Sequence, residues 1–292
     1  MDYPIPDGLK GFFEEVVNKP FVEYPRTDAW ILEVVEHDSY YHTREILERG
    51  TADFNTFFKE LTPHEKVIIY CYYYMQMHVV SSFHVFKESH FLFSEYILND
   101  NKNIIFIDFG CGPLTSGVAL AWYYQSLGVT KLHDFHYIGI DRCESMIRKA
   151  REISVRPGWK NCTFDFLKSY KSHDYIIELL EMYVSSGRYE EYLIVLNSSY
   201  LFASSTLDVG NLVTLVKKIL NSYKSHKVCL TYQNPPVDSL NNNWDNFKKS
   251  FPELCPVVVD KQAKLSYRNI TGRIRRSENT HIELYFETLV RE

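Results

Sequence analysis

Several things are scarce in this chain of 292 residues, and each absence narrows what it does. The six cysteines (Cys71, Cys111, Cys143, Cys162, Cys229 and Cys255) form no CxxC pair and no Cys/His zinc spacing. That argues against a disulfide framework and a structural metal, and no metal site is expected. Basic excess is missing too. The formal net charge of −5 gives no overall attraction for nucleic acid or an anionic membrane, although a local basic face remains compatible with it. The opening "MDYPIPDGLK" lacks the basic start and apolar core of a signal peptide, so a cytoplasmic protein with reduced thiols is expected. No internal repeat and no low-complexity stretch is visible.

One long run lacks charge. Residues 67–86, "VIIYCYYYMQMHVVSSFHVF", carry no Asp, Glu, Lys or Arg and approach the length of a membrane span. Gln76, His78, Ser81, Ser82, His84 and four tyrosines weaken insertion, so a buried core helix is expected and no membrane partner. Its start is marked by "TPHE", with Thr62 as N-cap, Pro63 at the first helical position and Glu65 closing a capping box.

What is present in quantity is aromatic: 22 Tyr and 19 Phe, many in the first hundred residues. Helical periodicity there predicts helices over 7–18, 28–37, 40–49, 52–60 and 63–98. After the polar "NDNKN" at 99–103 the pattern changes. Strands are predicted at 104–109, 135–140, 161–165, 193–198 and 227–232, alternating with helices at 115–127, 144–153, 173–186 and 208–223. That alternation implies an α/β fold, a doubly wound parallel sheet. Two further strands, 263–271 and 280–289, flank a polar turn and read as a C-terminal antiparallel hairpin. The expected organisation is an all-helical N-terminal region, 1–100, serving as lid and substrate region, followed by a ligand-binding domain, 101–292.

Three strand ends carry the chemistry. The first, "IIFIDFGCGPLTSG", ends in Asp108 and turns through Gly110, Cys111, Gly112 and Pro113 into a helix. Glycine lets a ligand approach the backbone, and the helix start offers free N–H groups. The second, "YIGIDRCESMIRKARE", ends in Asp141, placed to accept hydrogen bonds from two ribose hydroxyls, with Met146 and Ile147 on the inner side of the next helix. The third offers Asp165 to an adenine amino group and Phe166 to cover the base.

On these residues the chain resembles the class I S-adenosylmethionine-dependent methyltransferases, whose fold is Rossmann-like. Their glycine motif commonly reads acid-x-G-x-G-P-x-T, matching Asp108 to Thr115, and their second motif matches Asp141, Met146, Ile147, Ala150 and Arg151. The resemblance covers about 103–290. It implies a transferase with S-adenosylmethionine as cofactor, held by Asp108, Gly110, Cys111, Gly112 and Pro113 at the methionine end. Asp141 would bind the ribose and Asp165 with Phe166 the adenine, with Arg142, Met146, Asn197 and Ser198 as further expected cofactor contacts. Leu114 stands where many members have a third glycine and is expected to narrow the cofactor pocket or lower affinity. A nicotinamide dehydrogenase is the rival nucleotide fold, but Thr115 breaks its G-x-G-x-x-G pattern.

Catalytic candidates follow from position. "VLNSSYLFASS" comes after the fourth strand, where such families place acceptor-facing residues, so Asn197, Ser198 and Tyr200 are candidates. The long helix is expected to roof the cofactor and present His84 or a tyrosine. "QNPP" at 233–236 falls one strand too late for the N-P-P-aromatic motif of amino-group methyltransferases, and Val237 replaces the aromatic. A small-molecule acceptor is expected. RNA is the alternative through the basic cluster Arg273, Arg275 and Arg276, and a non-catalytic regulator that binds the cofactor is another.

Overall fold

The computed structural model describes residues 1–128, 134–156, 159, 161–204, 206–258, 261–271 and 279–291. Its strands are β1 (Asp2–Tyr3), β2 (Lys102–Phe109), β3 (His136–Ile140), β4 (Thr163–Leu167) and β5 (Glu191–Ser199). They continue with β6 (Lys227–Asn234), β7 (Cys255–Pro256), β8 (Gln262–Arg268) and β9 (Asn279–Arg291). All join one sheet in the order β1-β8-β9-β6-β5-β2-β3-β4, with β7 paired beside β9. β2 to β6 are parallel, and β9 runs antiparallel to both β6 and β8. This is the expected doubly wound, Rossmann-like sheet with its C-terminal antiparallel pair.

The helices are α1 (Asp7–Phe13), α2 (Lys19–Val22), α3 (Asp28–Trp30), α4 (Ser39–Tyr41), α5 (Pro63–Tyr70), α6 (Gln76–Glu88) and α7 (His90–Ile97). After β2 come α8 (Thr115–Ser126), α9 (Glu144–Ser154), α10 (His173–Val184), α11 (Val209–Ser222) and α12 (Asp238–Lys248). Strands such as Ile104–Ile107 are apolar on every residue because both faces are covered. Ile104 and Phe106 pack toward the N-terminal helices, α8 and α9, while Ile105 and Ile107 pack toward α10, α11 and α12.

Several expectations change. The helix over 52–60 is absent. Asp53 instead accepts the Asn55 amide at 3.0 Å, and Lys59 is left-handed at φ 51°, so local Asp and Asn bonds win over helix formation. The single helix over 63–98 is divided: five residues of π-helix, Cys71–Met75, separate α5 from α6, and a break at Ser89 separates α6 from α7. The Thr62–Glu65 capping box is present as expected. The N-terminal region is not wholly helical, since β1 pairs in parallel with β8 at the sheet edge. α12 escaped sequence reading because three consecutive asparagines obscure its period; buried Trp244 and Phe247 hold it against the sheet.

Candidate functional site

The parallel strands diverge between β2 and β5, since β3 and β4 lie to one side of β2 while β6 and β9 lie beyond β5. At this switch point, where doubly wound sheets hold their ligand crevice, the loop after β2 and the segment after β5 stand against each other. Gly110 (φ 73°) and Gly112 (φ 51°) take left-handed conformations that side chains resist. The amides of Gly110 and Cys111 both donate to the Ile140 carbonyl, at 2.8 and 3.1 Å, which seats the loop on the end of β3. A Cβ at Gly112 would meet nothing within 4 Å, whereas one at Gly110 would lie 3.1 Å from Leu201 Cδ1 on the opposite lip.

Leu114 is also left-handed, at φ 68°. Its side chain does not narrow the pocket as expected. It is fully buried under α8, close enough to Gly117 that a Cβ there would come within 2.8 Å. Cys111 and Pro113 are likewise buried, leaving the loop backbone to face the crevice.

Asp141 follows β3 directly. Its Oδ2 accepts the Gly112 amide at 3.0 Å and its Oδ1 the Cys143 amide at 2.8 Å, so one carboxylate ties the glycine loop to the start of α9. Burial pushes its carboxyl above the usual range, opposed by those two amides. The residue stays half-buried, and each oxygen keeps a lone pair for a further donor. Arg142 is exposed and donates to Thr206 Oγ1 at 2.6 Å, while Met146 is buried in the core under α9.

The N-terminal region meets this corner, a contact with no signal in the sequence. Asn55 Oδ1 accepts the Glu144 amide at 3.2 Å, capping α9 from a distant segment, and Ser145 Oγ donates to the Phe54 carbonyl at 2.5 Å. Buried Lys66 holds that turn by donating to the carbonyls of Asp53 (2.7 Å) and Thr56 (3.2 Å).

Asp108 takes a different place from the one expected. It is fully enclosed, accepting from Tyr137 Oη at 2.5 Å and from Asn197 Nδ2 at 2.6 Å. Asn197 also donates to Ser116 Oγ at 3.1 Å and accepts from Thr231 Oγ1 at 2.7 Å. Asp108 and Asn197 therefore lock the strand ends together rather than face the crevice. Ser198 is buried too and bonds back to the Thr231 carbonyl at 3.3 Å. Asp165 lies inside β4 rather than at its end, and accepts from Tyr183 of α10. Phe166 points to the other face, where it would lie 2.8 Å from a Cβ on Gly139. The residue level with Asp141 at the strand end is Leu167, whose carbonyl accepts the Asp141 amide at 3.0 Å.

Of the α6 histidines, His78 rather than His84 lies beside the segment after β5. His78 stacks on Tyr200, with centroids 4.2 Å apart and planes within 12°. Its Nδ1 lies 3.2 Å from Tyr70 Oη, and Tyr200 Oη lies 3.1 Å from Ser81 Oγ. Tyr200 holds this position in a left-handed conformation, φ 59°, one that bulky residues rarely adopt. Farther along α6, Ser82 Oγ accepts from Gln233 Nε2 at 2.8 Å, at the end of β6. His84 faces elsewhere: it is buried beside Phe286, with Nδ1 2.6 Å from Tyr3 Oη, and does not reach the crevice.

Among the described residues, no group of three or more His, Cys, Asp or Glu could hold a metal ion, and no helix is long and apolar enough to cross a membrane. Arg273, Arg275 and Arg276 lie outside the described residues. A shallow hollow at Phe91, Ser94, Glu95 and Leu98 sits near the start of β2, at the opposite end of the strands from the crevice.

Sheet order, glycine loop and following acid together define a Rossmann-like doubly wound α/β protein with its glycine loop at the switch point. Several solved structures that this chain is similar to are S-adenosylmethionine-dependent methyltransferases. The magnesium protoporphyrin IX methyltransferase of Synechocystis PCC 6803, solved with bound S-adenosylmethionine, is 11% identical over 92% of this chain and 99% of its own, with a TM-score of 0.35. Precorrin-6y C5,15-methyltransferase of Geobacter metallireducens GS-15 is 10% identical over 68% and 87%, with a TM-score of 0.40. An rRNA methylase of Streptococcus thermophilus is 13% identical over 70% and 93%, with a TM-score of 0.35. No protein-family model matches the chain, and no curated protein matches it.

Proposed function

We propose that this chain is an S-adenosylmethionine-dependent methyltransferase acting on a small molecule. The observation that carries the reading is the join between Asp141 and the Gly112 amide, 3.0 Å, at the switch point of the sheet. The residues present fit the cofactor. Gly112 leaves open space over the loop, and Asp141 keeps lone pairs for the two ribose hydroxyls. Phe166 is half-buried on the face that the loop shares. The methionine end would lie against the backbone of Gly110 to Gly112, between the two lips. When bound, S-adenosylmethionine supplies a methyl group already activated on sulfur.

For such chemistry the protein mainly positions and encloses. Asp141 orients the ribose, Leu201 and Tyr200 form the lip on the acceptor side, and α6 closes the top through Ser81 and Ser82. Those bonds between roof and floor support a small acceptor over a long polymer. Calorimetry with S-adenosylhomocysteine, and with NAD as the rival ligand, tests the cofactor. Binding of S-adenosylhomocysteine alone is expected; binding of NAD instead would overturn the reading. Tight, salt-sensitive RNA binding that disappears when Arg273, Arg275 and Arg276 are replaced together would overturn the small-molecule part.

A further inference from the structure

We propose that the turn at 53–56, far from the sheet in sequence, is the positioning element for Asp141, so that order in this turn and cofactor affinity are coupled. The inference rests on the cofactor reading above, which gives Asp141 to the ribose.

The aim of the Asp141 carboxylate depends on where the next residues sit, because its Oδ1 is tied to the Cys143 amide. Those residues do not hold themselves. Cys143 is the N-cap of α9, and its side chain makes no capping bond, so the helix start lacks an acceptor of its own. The turn supplies it: Asn55 Oδ1 accepts the Glu144 amide at 3.2 Å. Asn55 Nδ2 lies 3.5 Å from both the Arg142 carbonyl and Cys143 Sγ, and the Phe54 carbonyl accepts from Ser145 Oγ at 2.5 Å. Each of the four residues after Asp141 therefore meets Phe54 or Asn55.

The turn is itself fixed from behind. Asp53 Oδ1 accepts the Asn55 amide at 3.0 Å. Lys66 of α5 donates to the carbonyls at both ends, Asp53 at 2.7 Å and Thr56 at 3.2 Å, and its ammonium lies 5.7 Å from the centre of the Phe54 ring. Lys66 is buried, and desolvation lowers its pKa against the raising effect of Asp53 and Glu48. Burying an ammonium to hold a turn is costly, and the cost makes sense where a binding group needs a rigid support. Asn55 itself is exposed, so its grip on the helix start competes with water and has room to tighten. The connected path runs from Lys66 through the turn and the first residues of α9 to Asp141, and from there to the Gly112 amide at 3.0 Å. Coupling along it is reciprocal: a ribose held by Asp141 steadies 142–145, and these residues steady the turn.

The test is calorimetry with S-adenosylhomocysteine on the full chain and its variants. Asn55→Ala should weaken binding about fivefold, and Asn55→Asp, which still accepts the Glu144 amide, should recover most of that loss. In an Asp141→Ala background Asn55→Ala should cost nothing further, because the turn acts through that carboxylate. Saturating S-adenosylhomocysteine should also slow hydrogen exchange at the Asn55 and Glu144 amides, followed by NMR. A role confined to stability would lower the melting temperature of Asn55→Ala and leave its affinity at the wild-type value, which would overturn the proposal. An equal loss with and without Asp141, or exchange in the turn indifferent to ligand, would overturn it as well. Those results presuppose binding to the wild type that Asp141→Ala weakens, so they strike this inference alone. No binding to the wild type, or binding indifferent to Asp141→Ala, would instead remove the cofactor or ribose assignment and this inference with it.

Discussion

Asp108 is fully enclosed, and burial pushes its carboxyl up to about 6, against the lowering effect of Tyr137, Asn197 and Ser116. The unfolded chain releases that proton near the ordinary carboxylate value of about 3.9. Between about pH 4 and 6 the folded form therefore binds more protons. The stability contributed is present below about pH 4 and is lost as pH rises through 6, on the order of 3 kcal/mol for a shift of about two units. Asp108→Asn should remove this descending component, and urea unfolding of both proteins at pH 4.5 and pH 7 measures it. At Asp141 the two jobs are joined, since the same oxygens hold the loop and would meet the ribose. Asp141→Ala should weaken S-adenosylhomocysteine by about 1.5–3 kcal/mol. Unchanged affinity in a folded variant would remove the ribose assignment.

At the level of elements, the start of α9 depends on a residue 89 positions away in sequence, through the 3.2 Å bond from the Glu144 amide to Asn55. Asn55→Ala should cost about 1 kcal/mol, the usual worth of an N-cap, and Asn55→Asp should retain most of it. Thermal melts of the three proteins decide this. Close approach rather than turn geometry governs β3. A Cβ at Gly139 would lie 2.8 Å from Phe166, 2.9 Å from Tyr137 and 3.0 Å from Cys111. Gly139→Ala should destabilise by about 1–3 kcal/mol through overpacking, and a melting temperature equal to wild type would refute it.

For the whole molecule, the N-terminal hundred residues share one buried cluster with the strands: Phe13, Val17, Trp30, Ile46 and Phe54 belong with Phe106, Leu193 and Cys229. Deleting residues 1–60 should abolish cooperative unfolding, followed by circular dichroism, because it removes β1, the Asn55 cap and one side of that core. A truncated chain that melts cooperatively would show the region to be separable. Acid should also unfold the protein. Burial depresses His84 and His136 to about 4 and His78 to about 3. The unfolded chain takes up these protons near pH 6.5, so their contribution is present above that pH and is lost as pH falls toward 4. Three such groups outweigh the opposing gain from Asp108.

Periodicity was enough to place the parallel strands and the helices between them, because burial on both faces writes itself as continuous apolar runs with turn residues at their ends. The glycines of the loop were legible from backbone conformation instead: φ 73° and φ 51° are angles that few other residues accept. Side-chain direction was not legible. Whether Asp108 faces a ligand or Asn197, whether His78 or His84 stacks on Tyr200, and where Leu114 points all depend on neighbours from distant segments. Asn55 reached Glu144, and Tyr3 reached His84, only because the chain had already folded around the sheet. Sequence alone determined the sheet and its glycine turn, since those are set by local conformation and burial. Tertiary structure decided which polar groups are consumed inside the core and which remain for a ligand, since each buried group must find its partner wherever the fold brings one.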